Sequence, residues 1–316
     1  MNAMAATANV PTLAQDLLTG SEWGATQIRE LYHLAADIKA RPERYRSALA
    51  GRFVAMIFEK PSLRTRVTFE VGIASMGGGA VFLDHTQSRL GERETMTDVA
   101  KNLDRWVQGI VARVFEQKVL DELAENAAIP VINALSDCFH PCQALADFFT
   151  LEERLGSLRG VKVAYIGDGN NVCHSLLTIG ARVGAHVRVA TPAGYEPNAD
   201  VVAEARLAAR EARGKIEVLR APEEAIAGAQ AIYTDVWASM GQENEVAERA
   251  EVFASYQVNE NLCTQADANA VFMHCLPAHR GSEVAAGVID GPQSIVFDQA
   301  ENRLHVQKAI LLTLLG

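Results

Sequence analysis

Residues 53–70 have the sequence FVAMIFEKPSLRTRVTFE, which predicts a strand, a turn and the start of a helix. The six apolar residues Phe53–Phe58 are typical of a buried strand. Pro61 marks the end of this strand, and Ser62 follows at the position expected for a helix N-cap. The residue three places further on is Thr65 and not Glu or Gln, so a capping box is not expected. The first-turn N–H groups therefore have no carboxylate partner nearby in the sequence.

This helix start also predicts an anion-binding site. The N-terminus of a helix attracts negative charge, and Arg64 and Arg66 add two guanidinium groups beside it. Ser62 and Thr65 add hydroxyl donors, and an arginine can bind a phosphate through two parallel hydrogen bonds. The ligand that suits this arrangement is a phosphate ester or anhydride. The alternative is a capped helix with two solvated arginines, since short motifs match by chance.

Composition and charge narrow the class of protein. The chain has 316 residues, 49% of them hydrophobic and 22% charged, which predicts a globular protein of two domains. Its net charge of −10 argues against nucleic acid or an anionic membrane as partner. The five cysteines form no C-x-x-C pair, which favours free thiols over structural zinc. The first basic residue is Arg29, and no apolar run approaches the roughly 20 residues that span a bilayer, so we predict a cytoplasmic location.

Strands and helices alternate in both halves of the chain, which predicts an α/β fold with two mainly parallel sheets flanked by helices. Predicted strands are 53–58, 80–83, 109–114, 129–134, 161–166, 186–190, 216–219, 230–233, 271–273 and 295–297. A long helix from His140 to about Leu155 is expected to connect the two units. Two domains are predicted. The first consists of residues 1–147 and a C-terminal helix at 302–316 that packs back on them, and the second consists of residues 148–301.

Candidate residues lie repeatedly at the carboxyl ends of predicted strands, where ligands bind in open α/β sheets. Arg113 ends the third strand, and an arginine there is costly to bury without an anion or carboxylate partner. His140 and Gln143 follow the fourth strand and open the long helix. Taken alone, His140 is more typical of a structural histidine; beside an anion site it can donate to a carbonyl oxygen.

The second half contains the turn Gly167-Asp168-Gly169-Asn170-Asn171, which raises the alternative of a dinucleotide site. The G-x-G-x-x-G pattern fails because its third glycine would be Val172, and no acidic residue follows the next strand to hold a ribose. Asp235 and Cys275 each follow a later strand. Asp235 either binds a ligand or caps a helix. Cys275 is either a buried residue that only fills space in the core or a reactive thiol.

Five segments together resemble the aspartate/ornithine carbamoyltransferase family, in the same order and from about residue 20 to the C-terminus. They are Ser62-Leu63-Arg64-Thr65-Arg66, His140-Pro141-Cys142-Gln143, Asp235-Val236-Trp237-Ala238-Ser239-Met240-Gly241, His274-Cys275-Leu276-Pro277 and Glu301-Asn302-Arg303. The third and fourth resemble the ornithine branch. The resemblance implies no metal or organic cofactor, and a homotrimer with active sites between neighbouring subunits.

The resemblance also implies the residues of the site. Carbamoyl phosphate would be held by Ser62, the Leu63 backbone, Arg64, Thr65, Gln87, Arg113, His140, Gln143, Cys275, Leu276 and Arg303. L-Ornithine would be held by Asn171, Asp235, Ser239 and Met240. Many family members carry Thr where this chain has Leu63, and segment 84–93, which contains Gln87, matches the family only loosely.

The implied reaction is transfer of the carbamoyl group to the δ-amine of L-ornithine, giving L-citrulline and phosphate, a step of arginine metabolism. Arg64 and Arg113 would neutralise the phosphate. Donors to the carbonyl oxygen would be His140, Thr65 and Arg303. Asp235 and Cys275 would orient and desolvate the amine, whose pKa must fall for attack near neutral pH.

Two alternatives share most of these residues. One is a carbamoyltransferase for a modified ornithine or another amine. The other is a catalytically silent two-domain protein that closes on an anion. Arg64, His140, Gln143 and Cys275 argue against the second alternative, because binding alone would not require all four.

Overall fold

The structure is a computed structural model, and it describes residues 15–86, 90, 94–238 and 242–316. Over these residues the chain forms two separate parallel sheets with helices around them. The predicted fold class is therefore confirmed.

The first sheet is built from β1 (Phe53–Phe58), β2 (Gly79–Asp84), β3 (Gly109–Arg113) and β4 (Val131–Leu135). The strands are all parallel and lie in the order β2-β1-β3-β4. The helices of this half are α1 (Ala25–Ala40), α2 (Leu63–Ser75), α3 (Met96–Trp106) and α4 (Gln117–Asn126), with a 3-10 turn at Pro42–Tyr45. The register between β3 and β4 shifts between Ala112 and Arg113, an irregularity of the kind often found beside active sites.

The second sheet is built from β5 (Lys162–Ile166), β6 (His186–Ala190), β7 (Lys215–Leu219), β8 (Ala231–Tyr233) and β9 (Val271–Met273). These strands are also parallel, in the order β7-β6-β5-β8-β9. Its helices are α6 (Asn171–Arg182), α7 (Ala199–Ala212), α8 (Pro222–Ile226), α9 (Val246–Val252), α10 (Glu260–Cys263) and α11 (Ala286–Ile289), with 3-10 turns at Glu243–Glu245 and Ala254–Tyr256.

Two helices connect the sheets: α5 (Pro141–Leu155) and α12 (Val296–Leu315). Helix α5 is buried at every position from Pro141 to Leu151, as expected for a helix surrounded by packed structure. Helix α12 packs against α1, α2 and α5, so the C-terminal helix returns to the first half as predicted. One hydrophobic cluster runs from the first sheet through both helices to the second, with Met56, Phe148 and Tyr165 among its members. The two halves thus share a core.

The predicted strand at 295–297 is wrong. The run Ile295-Val296-Phe297 has the apolar, β-branched composition of a strand, but only Ile295 makes a strand-like contact, donating its N–H to the carbonyl oxygen of Phe272. Helix α12 begins at Val296, six residues before the predicted start at 302. Asp298 lies in its first turn, where a negative charge is stabilised by the helix dipole.

Among the helices of the described ranges, none combines the length and the apolar character that crossing a bilayer requires.

Candidate active site

A cavity of about 800 Å³ lies where the carboxyl ends of the two sheets face each other. Its walls come from the turns after β1, β3 and β4 in the first half and after β5, β6, β8 and β9 in the second. This is the edge at which open parallel sheets bind ligands.

The structure brings together eleven of the predicted site residues around this cavity. They are Ser62, Leu63, Arg64, Thr65, Arg113, His140, Gln143, Asn171, Cys275, Leu276 and Arg303. Asp235 does not line the cavity but lies directly behind Cys275. Gln87, Ser239 and Met240 lie outside the described residues.

The turn after β1 has the predicted geometry. Ser62 is the N-cap of α2, and its Oγ accepts the backbone N–H of Thr65 at 3.3 Å. The first turn carries no acidic side chain, so the positive end of the helix dipole is not neutralised locally. The Leu63 side chain is 74% exposed, in agreement with a role for its backbone only.

Three arginines, Arg64, Arg113 and Arg303, converge on one side of the cavity. Burial, followed by the positive charges of Arg303 and Arg64, lowers the pKa of Arg113 to about 10. Burial and the charge of Arg64 likewise lower the pKa of Arg303. Arg303 Nη2 donates to Thr65 Oγ1 at 2.6 Å, which leaves the hydroxyl hydrogen of Thr65 available to another acceptor. The three guanidinium groups repel one another, and binding of a dianion between them would reduce this repulsion.

His140 is buried beside these arginines. Burial, followed by the charges of Arg303, Arg113 and Arg64, holds the pKa of His140 well below its usual range. The imidazole is therefore neutral and keeps one N–H to donate. Its backbone N–H is fixed by Ser175 Oγ at 2.7 Å, and its Nδ1 has no hydrogen-bond partner among the described residues.

The Asp235 carboxylate is buried and accepts three hydrogen bonds. Oδ1 accepts the thiol of Cys275 at 3.0 Å and the backbone N–H of Val236 at 2.8 Å. Oδ2 accepts Asn170 Nδ2 at 2.9 Å. Within the described ranges Asp235 caps no helix, and its carboxylate instead connects two residues of the cavity wall.

Cys275 and Leu276 also line the cavity. Burial and the neighbouring Asp235 charge raise the pKa of the Cys275 thiol well above its usual range, so the thiol stays protonated and acts as a donor. Leu276 has φ +59°, which is uncommon for a residue with a side chain, and its N–H donates to His274 Nδ1 at 2.9 Å.

A possible group of metal ligands lies in the same region. Asp235, His274 and Cys275 place one donor atom each within 4.8 Å of one another. Their donor atoms take part in hydrogen bonds instead, since His274 accepts from Leu276 and contacts Glu283 through Nε2, while Cys275 donates to Asp235.

Two further residues that line the cavity were not among the predicted site residues. Asn170 and Asp168 line the cavity next to the predicted Asn171, whose Nδ2 donates to the carbonyl oxygen of Ser136 at 2.6 Å. The sequence feature that could have identified them is their position in a polar turn directly after a strand. The glycine at 169 is explained by close approach, because a Cβ there would lie 2.2 Å from the backbone N of Pro197. The dinucleotide alternative is not needed to account for it.

Comparison with known proteins identifies two family models in the chain. The aspartate/ornithine carbamoyltransferase carbamoyl-P binding domain matches residues 15–153, and the Asp/Orn binding domain of the same family matches residues 159–314.

Individual relatives match over nearly the whole chain. An ornithine carbamoyltransferase from Anoxybacillus flavithermus is 52% identical over 98% of this chain and 99% of its own. An anabolic ornithine carbamoyltransferase from Pyrococcus furiosus is 49% identical over 97% of this chain and 98% of its own. The solved structure of ornithine carbamoyltransferase from Pyrococcus furiosus superimposes with a TM-score of 0.94 at 49% identity, covering 97% of this chain and 99% of that one. The Thermus thermophilus structure superimposes with a TM-score of 0.87 at 48% identity, covering 96% of this chain and 100% of that one.

Proposed function

We propose that this chain, which belongs to the aspartate/ornithine carbamoyltransferase family, transfers the carbamoyl group of carbamoyl phosphate to the δ-amine of L-ornithine, releasing L-citrulline and phosphate in arginine biosynthesis. The observation that carries the proposal is the cluster of Arg64, Arg113 and Arg303 beside a helix N-terminus that has no acidic partner in its first turn. A site of this kind fits a dianionic phosphate that carries a small polar group.

The phosphate of carbamoyl phosphate binds to Arg64, Arg113 and the first turn of α2. In the transition state the bond between the carbamoyl carbon and the phosphate oxygen breaks, and negative charge grows on the leaving phosphate. Positive groups fixed in advance stabilise that charge more strongly than water does, because they need no reorientation.

The carbonyl oxygen of the carbamoyl group gains charge at the same time. The donors near it are the neutral imidazole of His140, the hydroxyl of Thr65 and the guanidinium of Arg303. Because His140 is neutral, the positive charge of the site is carried by the arginines, which are proposed to bind the phosphate.

The ornithine δ-amine attacks as the neutral species. Its nitrogen forms the new bond to the carbamoyl carbon, and the proton it loses is taken up by the departing phosphate. Asp235 binds the α-ammonium of ornithine from behind Cys275, and Asn171 offers its remaining amide oxygen to the substrate. Ser239 and Met240 are proposed to complete the ornithine site, and Gln87 the carbamoyl phosphate site.

We also propose a homotrimer in the cytoplasm. Leu63, Val67 and Val71 form a stripe along α2, next to Val81 on the edge strand β2, and these side chains are 42–74% exposed. An apolar stripe beside the substrate-binding turn fits a second copy of this chain, so that a neighbouring subunit borders the site. All five cysteines are free, which fits a reducing compartment.

Substitution of this stripe tests the assembly. Val67→Glu together with Val71→Glu should yield monomers in sedimentation velocity, because two charges would have to be buried in the interface. Leu207→Glu is the matched control, since Leu207 is a 60% exposed leucine on α7 and its substitution should leave the trimer intact. A trimer that survives both glutamates would contradict the proposed interface.

The domain division at 147/148, with residues 302–316 joined to the first domain, is also a proposal. It is supported by the packing of α12 against α1 and α2. The Asp/Orn binding family model, which extends to residue 314, assigns the helix to the second domain instead.

A citrulline assay with carbamoyl phosphate and a panel of amines tests the function directly. We expect turnover with L-ornithine and little or none with N-acetyl-L-ornithine or L-aspartate. Turnover with another amine alone would show that L-ornithine is not the substrate. Binding of carbamoyl phosphate without any turnover would favour a catalytically silent binding protein.

A further inference from the structure

Asp147 lies in α5, one helical turn after Gln143, and is completely buried behind the cavity wall. A buried carboxylate is costly unless its oxygens accept hydrogen bonds. Here three side chains from three elements donate to it. Gln143 Nε2 and Gln299 Nε2 both bind Oδ1 at 2.7 Å, and Tyr233 Oη binds Oδ2 at 3.0 Å.

These contacts determine which way the amide of Gln143 points. An ionised carboxylate only accepts hydrogen bonds, so the NH₂ of Gln143 must face Asp147. The reverse orientation would place two acceptor oxygens 2.7 Å apart. Gln143 Oε1 is therefore directed away from Asp147, and it is a buried acceptor without a hydrogen-bond partner among the described residues. Gln143 lines the cavity and Asp147 does not, so Oε1 is the amide atom left for a ligand.

We propose that Asp147 is a positioning residue that fixes the Gln143 amide with its oxygen toward the ligand, so that the site accepts a hydrogen bond from the NH₂ of the carbamoyl group. The site then selects carbamoyl phosphate over acyl phosphates that carry a methyl group at the same place. This inference rests on the proposed function, because it assumes that carbamoyl phosphate is the ligand.

The surroundings of Asp147 hold the carboxylate in one orientation. Gln299 cannot reverse its own amide, because its Oε1 accepts the backbone N–H of His274 at 3.0 Å. The contacts therefore continue from Gln143 through Asp147 and Gln299 to the residue before Cys275. Burial raises the pKa of Asp147 to about 6, although the hydrogen bonds and the charge of Arg303 oppose the rise. The carboxylate is accordingly mostly ionised near neutral pH, as the positioning role requires.

The test compares carbamoyl phosphate with acetyl phosphate, which has the same shape but no NH₂. Wild-type protein should bind carbamoyl phosphate more tightly, measured as KM against the Ki of acetyl phosphate as a competitive inhibitor. In Asp147→Leu the ratio should fall by about tenfold, the effect of one hydrogen bond. Asp147→Ala is the second variant, should leucine prevent folding, because the vacated space can take up water.

Two further variants separate positioning from general damage. Asp147→Asn should keep the ratio within about threefold of wild type, because Gln299 holds the asparagine oxygen toward Gln143. Tyr233→Phe removes the bond to the other carboxylate oxygen, and it should lower the melting temperature without changing the ratio. Equal weakening of both phosphates in Asp147→Leu and Asp147→Ala would overturn the inference and leave a purely structural residue. Absence of citrulline formation by the wild type would instead overturn the proposed function.

Discussion

Replacing Arg64 with alanine should lower kcat/KM for carbamoyl phosphate by about 30- to 900-fold, the equivalent of about 2–4 kcal/mol of transition-state stabilisation. Arg64 lies half-buried at the start of α2 and faces the same cavity as Arg113 and Arg303. In the proposed function its guanidinium makes a charge-assisted contact to the phosphate, and this contact should strengthen as the leaving group becomes more negative. Steady-state kinetics at saturating ornithine measures the loss.

The fold should survive this substitution, because Arg64 faces the cavity and not the core. Removing a repelling charge from the cluster should leave the melting temperature of the unliganded protein unchanged or slightly higher. Arg206→Ala is the matched control, since Arg206 is an exposed arginine on α7 and the change is chemically identical. Near-normal kcat/KM in Arg64→Ala would remove Arg64 from the phosphate site.

Asp235→Asn should lower kcat/KM for L-ornithine by about 10- to 150-fold, the effect of about 1.5–3 kcal/mol for a hydrogen bond to a charged group. The side chain keeps its size and its place behind Cys275. It loses the negative charge that we propose pairs with the α-ammonium of ornithine. N-Acetyl-L-ornithine has no such ammonium, so the wild-type carboxylate would keep its hydrogen bonds within the protein but would lack a cationic partner. The preference for ornithine over acetylornithine should therefore shrink in the variant.

In Asp235→Asn the inhibition constant of inorganic phosphate, measured against carbamoyl phosphate, should stay within about twofold of wild type, a change well below the effect of one hydrogen bond. The reason is that the proposed role of Asp235 is to bind ornithine and not the phosphate. Asp121→Asn, an identical change at an exposed position on α4, should alter neither substrate. Unchanged ornithine kinetics in Asp235→Asn, or efficient use of acetylornithine by the wild type, would leave a carboxylate that only holds the cavity wall together.

The sequence predicted the parts of the fold that depend on local patterns. The apolar run Phe53–Phe58 became β1, and Ser62 became the N-cap of α2, because both features are decided by neighbours within a few residues. The strand predicted at 295–297 is wrong because two of its three residues belong to the helix that continues to Leu315. The packing of that helix against α1 and α5 outweighs the strand propensity of Ile295 and Val296.

Residues of the cavity that directly follow a strand could be predicted from the sequence. Residues whose role depends on side chains far away in the sequence could not. Arg113 and His140 could be found because a charged or polar residue at a strand end is conspicuous. Asp147 could not, because its role depends on Tyr233 and Gln299, which lie 86 and 152 residues away. Asp235 was predicted to hold ornithine, but its position behind Cys275 depends on how two loops of the second sheet meet.

The most direct test is a crystal structure with a bisubstrate analogue, an L-ornithine whose δ-nitrogen carries a phosphonoacetyl group. We expect its phosphonate at Arg64, Arg113 and the first turn of α2, with its carbonyl oxygen near His140. The α-ammonium should then lie on the Asp235 side of the cavity, close to Asn171. A phosphonate bound away from the three arginines, or an ornithine portion that does not approach Asp235, would contradict the proposed arrangement of the two substrates.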